Sequence, residues 1–393
     1  MFQNTRKYLP LLAFCLGILP GKAQMNYVPP VSSIRMATFP IDPALAGTQD
    51  AALVNMNAEL YFEEEVKEHP SNAPAWLNYY KAVRFRAQAM DLEKTFQKRL
   101  DSIDLAMGKN VPGSFEQFYV HYWNGNHDLS RASSLQNAYK LQPNNADVLR
   151  QLTGYNIIAG NKKQAAAYSS QWEKTGTMPA QLMPYAYNVL QSVGVDAVLI
   201  TNGEFDTYPL VQQQVSNGVA PGVSLLPITL SSRPENRARI FRQLGLKLPG
   251  NDSVSLFNAA YIRRIAAANP GKKIYIASSV GMSLLASLQK ELYITGLAFR
   301  YSATPVENLA FLRDNVGSRM KLDYLGESKG TTAFDRTAAS QLNMNYVLPL
   351  ALAAQQYEAD GNKTKAEELR EKARSIGKQA GRTEEVNKII GKS

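Results

Sequence analysis

Apolar and polar positions alternate with helical periodicity from about residue 51 to about residue 177. Aromatic and apolar side chains recur three and four positions apart there, for example at Trp76, Tyr79, Tyr80 and Val83. This spacing places them on one face of a helix, so we predict a series of amphipathic helices separated by short breaks. Similar helix-start signals at 70–74 and 143–147 lie close to two periods of a repeat of about 34 residues, which is typical of helix-turn-helix arrays.

Two turns of the chain have the same composition. Segments 160–165 and 361–366 both read Gly-Asn-Lys-x-x-Ala. Glycine can end a helix at positive φ, and alanine is small enough to let the next helix pack closely. The segments resemble tetratricopeptide repeats. The resemblance implies stacked helical hairpins, in which the aromatic residues either form the core or line a peptide groove.

Short β-rich runs alternate with helical patterns between residues 178 and 305. The predicted strands are 197–201, 223–230, 273–277 and 292–297, and the predicted helices are 182–192, 207–214, 234–244, 253–268 and 281–290. This alternation predicts right-handed crossovers and a mostly parallel sheet with helices on both faces. From 306 to 393 the pattern returns to helix and ends in a repeat-like pair at 345–376. We therefore predict α/β with all-α repeats: a three-layer α/β domain at 178–305, flanked by tetratricopeptide-like hairpins at 51–177 and 306–393.

The first 24 residues have the pattern of a secretory signal peptide. Arg6 and Lys7 precede an apolar core, and small residues follow it. The proline-containing stretch 25–50 predicts an extended arm. Cys15, the only cysteine, lies in the apolar core, so we expect a mature protein without a disulfide or a catalytic thiol. The predicted location is the periplasm or the exterior of the cell.

Charge and hydropathy narrow the range of partners. The formal net charge is +10, but positive and negative residues are interspersed as on solvated helix faces. No platform of aromatic and basic residues accompanies them, so we do not expect nucleic-acid binding. No segment after the signal has the roughly 18 to 20 continuous apolar residues that a membrane-spanning helix needs. We expect a protein partner and no direct membrane span.

The candidate functional site follows the apolar run at 196–201. There the sequence changes to Asn202-Gly203-Glu204-Phe205-Asp206-Thr207. Open α/β sheets place ligands at the carboxyl ends of their strands. Two interpretations remain open: Asp206 or Thr207 caps the next helix, or Asn202, Glu204, Asp206 and Thr207 bind a ligand, with the two carboxylates as acid and base or as cation ligands.

Two further features could contribute to a site. The small residues at 278–283 follow a predicted strand and lead into a helix, as in anion-binding turns, although serine capping explains them equally well. Arg300, after the last predicted strand, could bind a carboxylate or a phosphate, or pair with a neighbouring acid. The three histidines, His69, His121 and His127, do not have zinc-site spacing, and no serine lies in a Gly-x-Ser-x-Gly elbow. We expect no metal and no cofactor.

Segments 200–210, 218–223 and 293–300 resemble the soluble C-terminal region of a family of bacterial membrane proteins. That family is related to lumenal protein O-mannosyltransferases with tetratricopeptide repeats. The resemblance spans about 183–376 and implies an exported α/β module joined to helical repeats. It does not imply glycosyl transfer, because the family's sugar chemistry belongs to a multi-spanning part that is absent here. Glu204 and Phe205 stand where the family usually has Asp and Asn.

Two functional hypotheses follow. The first is an exported, non-catalytic protein-interaction or scaffold protein, because helical repeats accompany an α/β module and no complete catalytic set is present. The second is a carbohydrate-binding or carbohydrate-processing accessory of a glycosylation or cell-envelope pathway, which would use the loop at 202–209. A pocket that gathers Glu204, Asp206, Arg300 and aromatic side chains would favour the second, and carboxylates directed at backbone N–H groups would favour capping.

Overall fold

The computed structural model describes residues 49–90, 92–250, 257–325, 340 and 342–391. The predicted signal peptide and almost all of the predicted arm lie outside these residues. The chain divides after Tyr155 into two compact units. We call residues 49–155 the N-terminal unit and residues 156–391 the C-terminal unit.

The N-terminal unit is helical. Its helices are α1 (Gln49–Glu68), α2 (Ala73–Ala89), α3 (Glu93–Asn110), α4 (Phe115–Asn124), α5 (Ala132–Leu141) and α6 (Ala146–Ala159), the last of which runs past Tyr155. Successive helices from α1 to α5 pack on one another. Both predicted helix starts are confirmed, because Asn72 Oδ1 accepts the N–H of Ala75 at 3.2 Å and Asn145 Oδ1 accepts the N–H of Asp147 at 3.0 Å.

A three-residue ion cluster joins α2 to the start of α6. Lys81 Nζ lies 3.1 Å from Asp147 Oδ2, and the Arg150 guanidinium also pairs with this carboxylate, whose side chain is 12% exposed. Burial alone raises the pKa of Asp147, but the two cations outweigh it and lower the pKa to about 2. The carboxylate form is therefore favoured by folding.

Asp147→Asn is expected to destabilise the protein by about 2 kcal/mol at neutral pH. Because the folded pKa is depressed, this contribution is present above the ordinary value of 3.8 and is lost as the pH falls towards about 2. Urea unfolding of both proteins from pH 7 to pH 2 measures the difference. A gap between them that stays constant over this range would contradict the ion-pair explanation.

The C-terminal unit contains a five-stranded sheet. Its strands are β1 (Val198–Thr201), β2 (Ser224–Pro227), β3 (Ile274–Ala277), β4 (Leu292–Ile294) and β5 (Ala298–Tyr301), in the order β2-β1-β3-β5-β4. The α/β class is confirmed, and the four predicted strands appear in shortened form. The sheet is mixed, however: β1 is parallel to β2 and β3, whereas β5 is antiparallel to β3 and β4.

The predicted strand at 292–297 is in fact the first half of a hairpin. The chain reverses at Gly296, which has a φ of +135°, and the N–H of Thr295 donates to the carbonyl of Ala298 at 2.9 Å. A Cβ at position 296 would lie 2.4 Å from Ser192 Oγ. The turn therefore needs glycine both for its backbone conformation and for close packing. The returning strand, β5, accounts for the antiparallel half of the sheet.

Along the chain, helices precede, separate and follow these strands. They are α7 (Lys162–Lys174), α8 (Leu182–Gln191), α9 (Glu204–Ser216), α10 (Pro234–Gln243), α11 (Ala259–Ala268), α12 (Met282–Ser287), α13 (Leu309–Asp314), α14 (Val347–Ala359), α15 (Lys363–Gln379) and α16 (Thr383–Ile390). α7 packs on α9, and α14 packs on α15. Gly160 and Gly361 have φ values of +85° and +81°, while Ala165 and Ala366 are fully buried, as their shared sequence predicts. None of the helices described is long and apolar enough to cross a membrane.

Candidate functional site

The candidate site lies at the carboxyl ends of β1, β2 and β3. Strand β1 is at the centre of these three, so the chain leaves it towards β2 on one side and returns to β3 on the other. This reversal of direction between β1 and β3 is the place where open α/β sheets form a crevice for ligands. The loop after β1 begins with Asn202, and the loop after β3 begins with Ser278. The loop at 202–209 thus follows the carboxyl end of a parallel strand, where the sequence pattern placed it.

Asp206 is the centre of this site, and its carboxylate accepts four hydrogen bonds from the protein. Oδ2 accepts the N–H of Asn202 at 2.7 Å and the hydroxyl of Ser279 at 2.7 Å. Oδ1 accepts the N–H of Gly203 at 2.8 Å and the hydroxyl of Thr207 at 3.0 Å. A carboxylate offers about four lone-pair positions, so these donors fill its capacity.

The environment of Asp206 is nearly closed to solvent. Asp206 is 7% exposed, and this burial raises the pKa of its carboxyl. The four donors, which are the N–H groups of Asn202 and Gly203 and the hydroxyls of Ser279 and Thr207, lower the pKa. Each of these donors favours the ionised form because it bonds to the negative oxygens. The carboxyl is held in place by its neighbours and is largely shielded from solvent.

Helix α9 begins earlier than the sequence pattern indicated. Predicted from Thr207, it starts at Glu204, which makes Asp206 the third helical residue. The Asp206 side chain then bonds back to the N–H of the N-cap residue Gly203, as in one half of a capping box. Pro209 consequently lies inside the helix and not in its first turn.

Thr207 belongs to the same buried network. Its hydroxyl oxygen lies 2.8 Å from Thr201 Oγ1. Since Thr207 donates its own proton to Asp206, Thr201 must donate in this pair. Thr207 is fully buried, and its hydrogen bond helps to hold the carboxylate of Asp206. Of the other predicted ligands, Asn202 and Glu204 are half-buried at this edge of the sheet.

Arg300 is not brought to this loop. On β5 it lies opposite Tyr275, whereas the end of β3 lies opposite Ala298. Tyr275 is in turn level with Leu199, three residues before the Asn202 loop. Burial raises the pKa of the Tyr275 phenol, and the positive charge of Arg300 partly opposes this rise. Arg300 thus lies further towards the amino ends of β1 and β3. The sequence pattern did not reveal this position, because it did not reveal that β5 is antiparallel.

The two serines after β3 have structural partners that the sequence did not reveal. Ser279 donates to Asp206, as above, and Ser278 Oγ lies 2.9 Å from the hydroxyl of Tyr185 on α8. Asn345 Nδ2 donates to the same tyrosine hydroxyl at 3.0 Å. Neither serine caps α12, whose N-cap is Gly281. Ser279 could have been found from its position at the end of a parallel strand, whereas no local pattern links Tyr185 to Ser278 or Asn345.

Gly203 is required by a close contact. Its φ of −170° is extended backbone that any residue adopts, but a Cβ there would lie 2.9 Å from Thr229 Oγ1 and 3.3 Å from Thr229 Cγ2. Thr229 belongs to the loop after β2, and its N–H donates to the carbonyl of Asn202 at 3.1 Å. The loops after β1 and β2 are therefore packed directly on each other.

Gly203→Ala is expected to destabilise the protein by about 1 to 3 kcal/mol, because the new methyl group overpacks this contact. Thr229→Ala removes the atoms that the methyl group would meet, so the double variant should recover most of the loss. Chemical denaturation of the two single variants and the double variant measures the coupling. Simple additivity of the two losses would contradict the steric explanation.

The remaining polar groups of the described residues do not form a metal centre. Within those residues, no group of three or more histidine, cysteine, aspartate and glutamate side chains could hold a metal ion. Phe205, which belongs to the 202–209 segment, packs edge-on against the buried Trp172 at 5.7 Å between ring centroids. Comparisons of the chain with protein-family models, curated proteins and solved structures give no match.

Proposed function

We propose that the chain is an exported, non-catalytic protein-interaction or scaffold protein. The observation that carries this proposal is the Asp206 carboxylate, whose acceptor positions are filled by two backbone N–H groups and two hydroxyls of the protein. A general base or cation ligand needs an accessible lone pair directed at its substrate or ion. Asp206 instead caps α9 and joins two loops, so the strand-end motif stabilises the fold.

Helical repeats supply the proposed interaction surface. We interpret α2 with α3, α4 with α5, and α14 with α15 as tetratricopeptide-like hairpins. This is supported by the packing within each pair, by positive φ at Gly361 and by the buried Ala366 that follows it. Stacked hairpins expose an extended surface built from successive helices, which suits proteins better than small molecules.

The resemblance to the soluble region of the O-mannosyltransferase-related membrane proteins is consistent with this role. It implies an exported α/β module next to helical repeats. Glu204 and Phe205, the two positions at which this chain differs from the family's usual motif, lie in the same helical turn as Asp206, whose carboxylate is hydrogen-bonded within the protein. We therefore propose that the motif is retained here as a structural element of the module.

Carbohydrate binding at 202–209 is the second candidate function. The position of the loop at the strand-order reversal favours it, because ligand crevices form there. Asn202 and Glu204 are half-buried at this edge and are the polar residues that such a ligand would contact. Arg300 would not contribute, since it lies opposite Tyr275.

Thermal unfolding separates these candidates. The wild type and Glu204→Ala are heated with divalent ions, sugars and sugar nucleotides. We expect no ligand to raise the midpoint of the wild type. A sugar that raises the wild-type midpoint but not that of folded Glu204→Ala would establish the carbohydrate site and overturn the structural interpretation of the loop.

Cross-linking in the exporting cell tests the interaction itself. A tagged chain should recover one or more proteins in defined stoichiometry, and the tag alone should not. Repeated recovery of the chain alone, with neither another protein nor a second copy of itself, would contradict the proposed function.

A further inference from the structure

Three side chains that donate hydrogen bonds lie together on one face of the sheet. Arg300 on β5 is paired with Tyr275 on β3 and, on its other side, with Tyr293 on β4. Paired residues point to the same face, with Cβ atoms about 5 Å apart. Lys273 precedes Tyr275 by two residues, so it also belongs to this face. Its carbonyl accepts the N–H of Val198 at 2.9 Å, which extends the β1–β3 ladder to this position.

The positive charge of Arg300 has no counter-charge in the part of the chain that the structure describes. Arg300 is half-buried, and it forms neither an ion pair nor a hydrogen bond with any described residue. The strand register also brings in one acid, Glu291, two residues before Tyr293. Its Oε1 lies 2.7 Å from Arg263 Nε, and its Oε2 accepts Arg263 Nη2 at 3.3 Å. The pairing of Arg300 with a neighbouring acid, which the sequence left open, is therefore not what the structure contains.

The hydroxyl of Tyr275 is a second donor without an acceptor. Its oxygen accepts the backbone N–H of Gly194, where a Cβ would lie 2.9 Å from it. The phenol keeps one proton to donate, and no described residue accepts it. Lys273 is exposed and likewise has no ion pair with a described residue. The face thus presents donors alone, which is the arrangement that binds an oxyanion.

The charges favour a carboxylate over a phosphate. A half-buried cation is costly unless a charge of opposite sign is paired with it. Arg300 supplies one half-buried positive charge, which one carboxylate balances, whereas a phosphate monoester carries about two negative charges. The guanidinium fork matches the two carboxylate oxygens, and the Tyr275 hydroxyl is a third donor. Lys273, at the exposed rim, attracts the same anion from solvent.

We propose that Arg300, Tyr275 and Lys273 form a site that binds a carboxylate of a partner protein. We call these three residues the Arg300 site. It lies towards the amino ends of β1 and β3, away from the loop at 202–209. The inference deepens the proposed function and rests on it, because it names the chemical group by which the partner is recognised. The carboxylate is either an acidic side chain or a chain end.

Titration of the full chain with small carboxylates tests the site. The probes are acetate, N-acetylglycine for a chain end and N-acetylglutamate amide for an acidic side chain, with inorganic phosphate for comparison. We expect each carboxylate to shift the backbone amide signals of β3 and β5 in the NMR spectrum. The tighter of the two peptide analogues identifies the source of the carboxylate.

Variants assign the binding to individual side chains. Arg300→Gln should weaken carboxylate binding about tenfold to a hundredfold, because charge-assisted hydrogen bonds are lost, and Tyr275→Phe should weaken it about threefold to tenfold. Arg239→Gln is the matched control, since Arg239 is an exposed arginine on α10 that has no ion pair with a described residue. It should bind as the wild type does.

The stability of Arg300→Gln is an independent measurement. Because Arg300 has no partner to lose, the variant should unfold at the same urea concentration as the wild type or at a higher one. A clearly lower midpoint would show that Arg300 stabilises the fold and would overturn the inference. An unchanged midpoint also ensures that the binding comparison is made between folded proteins.

Three further results would overturn the Arg300 site. They are the absence of any shift up to about 100 mM carboxylate, tighter binding of phosphate than of every carboxylate, and equal losses in Arg300→Gln and Arg239→Gln. In cross-linked cells, Arg300→Glu should lose a partner that the wild type and Arg239→Glu both recover. Recovery that is unchanged in Arg300→Glu would reject the site while the proposed function stood.

Discussion

Asp206→Ala is expected to destabilise the protein by about 3 kcal/mol. The substitution removes the acceptor of four hydrogen bonds at once and leaves the buried N–H of Gly203 and the half-buried N–H of Asn202 without it. Loss of a helix cap alone costs about 1 kcal/mol, and each buried donor left unsatisfied adds about 1 kcal/mol or more. Urea unfolding at neutral pH measures the free energy of unfolding. The effect exceeds that of a simple cap because Ser279 is also released.

Glu204→Ala is the matched control for this prediction. Glu204 is also an acidic residue in the first turn of α9, but it is half-buried, whereas Asp206 is buried. Its removal should cost about 0.5 kcal/mol, the usual contribution of an acid at a helix amino end. Ser279→Ala should lie between the two. Equal losses for Glu204→Ala and Asp206→Ala would show that the network is not what stabilises the loop.

Glu59→Gln is expected to lower the free energy of unfolding by about 3 kcal/mol, because it neutralises the acid of a buried ion pair and leaves the basic partners charged. Glu59 on α1 is 2% exposed, and its two carboxylate oxygens lie 3.0 Å from Arg86 Nη1 and 2.6 Å from Arg99 Nη1. The neutral amide removes this negative charge from both guanidinium groups, and Arg99 keeps only Glu63, whose Oε2 lies 3.0 Å from its Nη2. The loss should appear in urea unfolding as a lower midpoint.

Glu64→Gln provides the comparison on the same helix. Glu64 pairs with Lys67 at 2.7 Å, but both side chains are well exposed to solvent. Pairs of this kind contribute about 0 to 1 kcal/mol, so the variant should unfold almost as the wild type does. A loss for Glu59→Gln as small as that for Glu64→Gln would mean that water enters the Glu59 cluster.

The parts of the fold that sequence analysis predicted correctly depend on local chemistry. The starts of α2 and α6 follow from the side chains of Asn72 and Asn145, which bond to the next turn. Likewise, the carboxyl end of β1 was located because an apolar run ended at Asn202. Such features are decided within a few residues, so the chain shows them directly.

The parts that were missed depend on contacts between distant residues. Nothing near Gly296 in sequence distinguishes a continuing strand from a hairpin, since the apolar run continues through Leu297 and Phe299. The turn is selected by Ser192, whose hydroxyl accepts the N–H of Leu297 at 2.8 Å. The interpretation of Asp206 likewise depended on Ser279, whose role is decided by the packing of β1 beside β3.

The partners of α8 also determine when the C-terminal unit can be completed during synthesis. Asn188 bonds to the backbone of Lys321 and to the hydroxyl of Tyr346, and Tyr185 bonds to Asn345. Tyr346 lies 158 residues after Asn188 and Asn345 lies 160 residues after Tyr185, so this early helix acquires its last polar partners only near the end of the chain's synthesis. Contacts of such long sequence separation make folding slow. The unit is therefore expected to stay incompletely folded while most of its chain is being made, which would keep it compatible with passage through a narrow secretion channel.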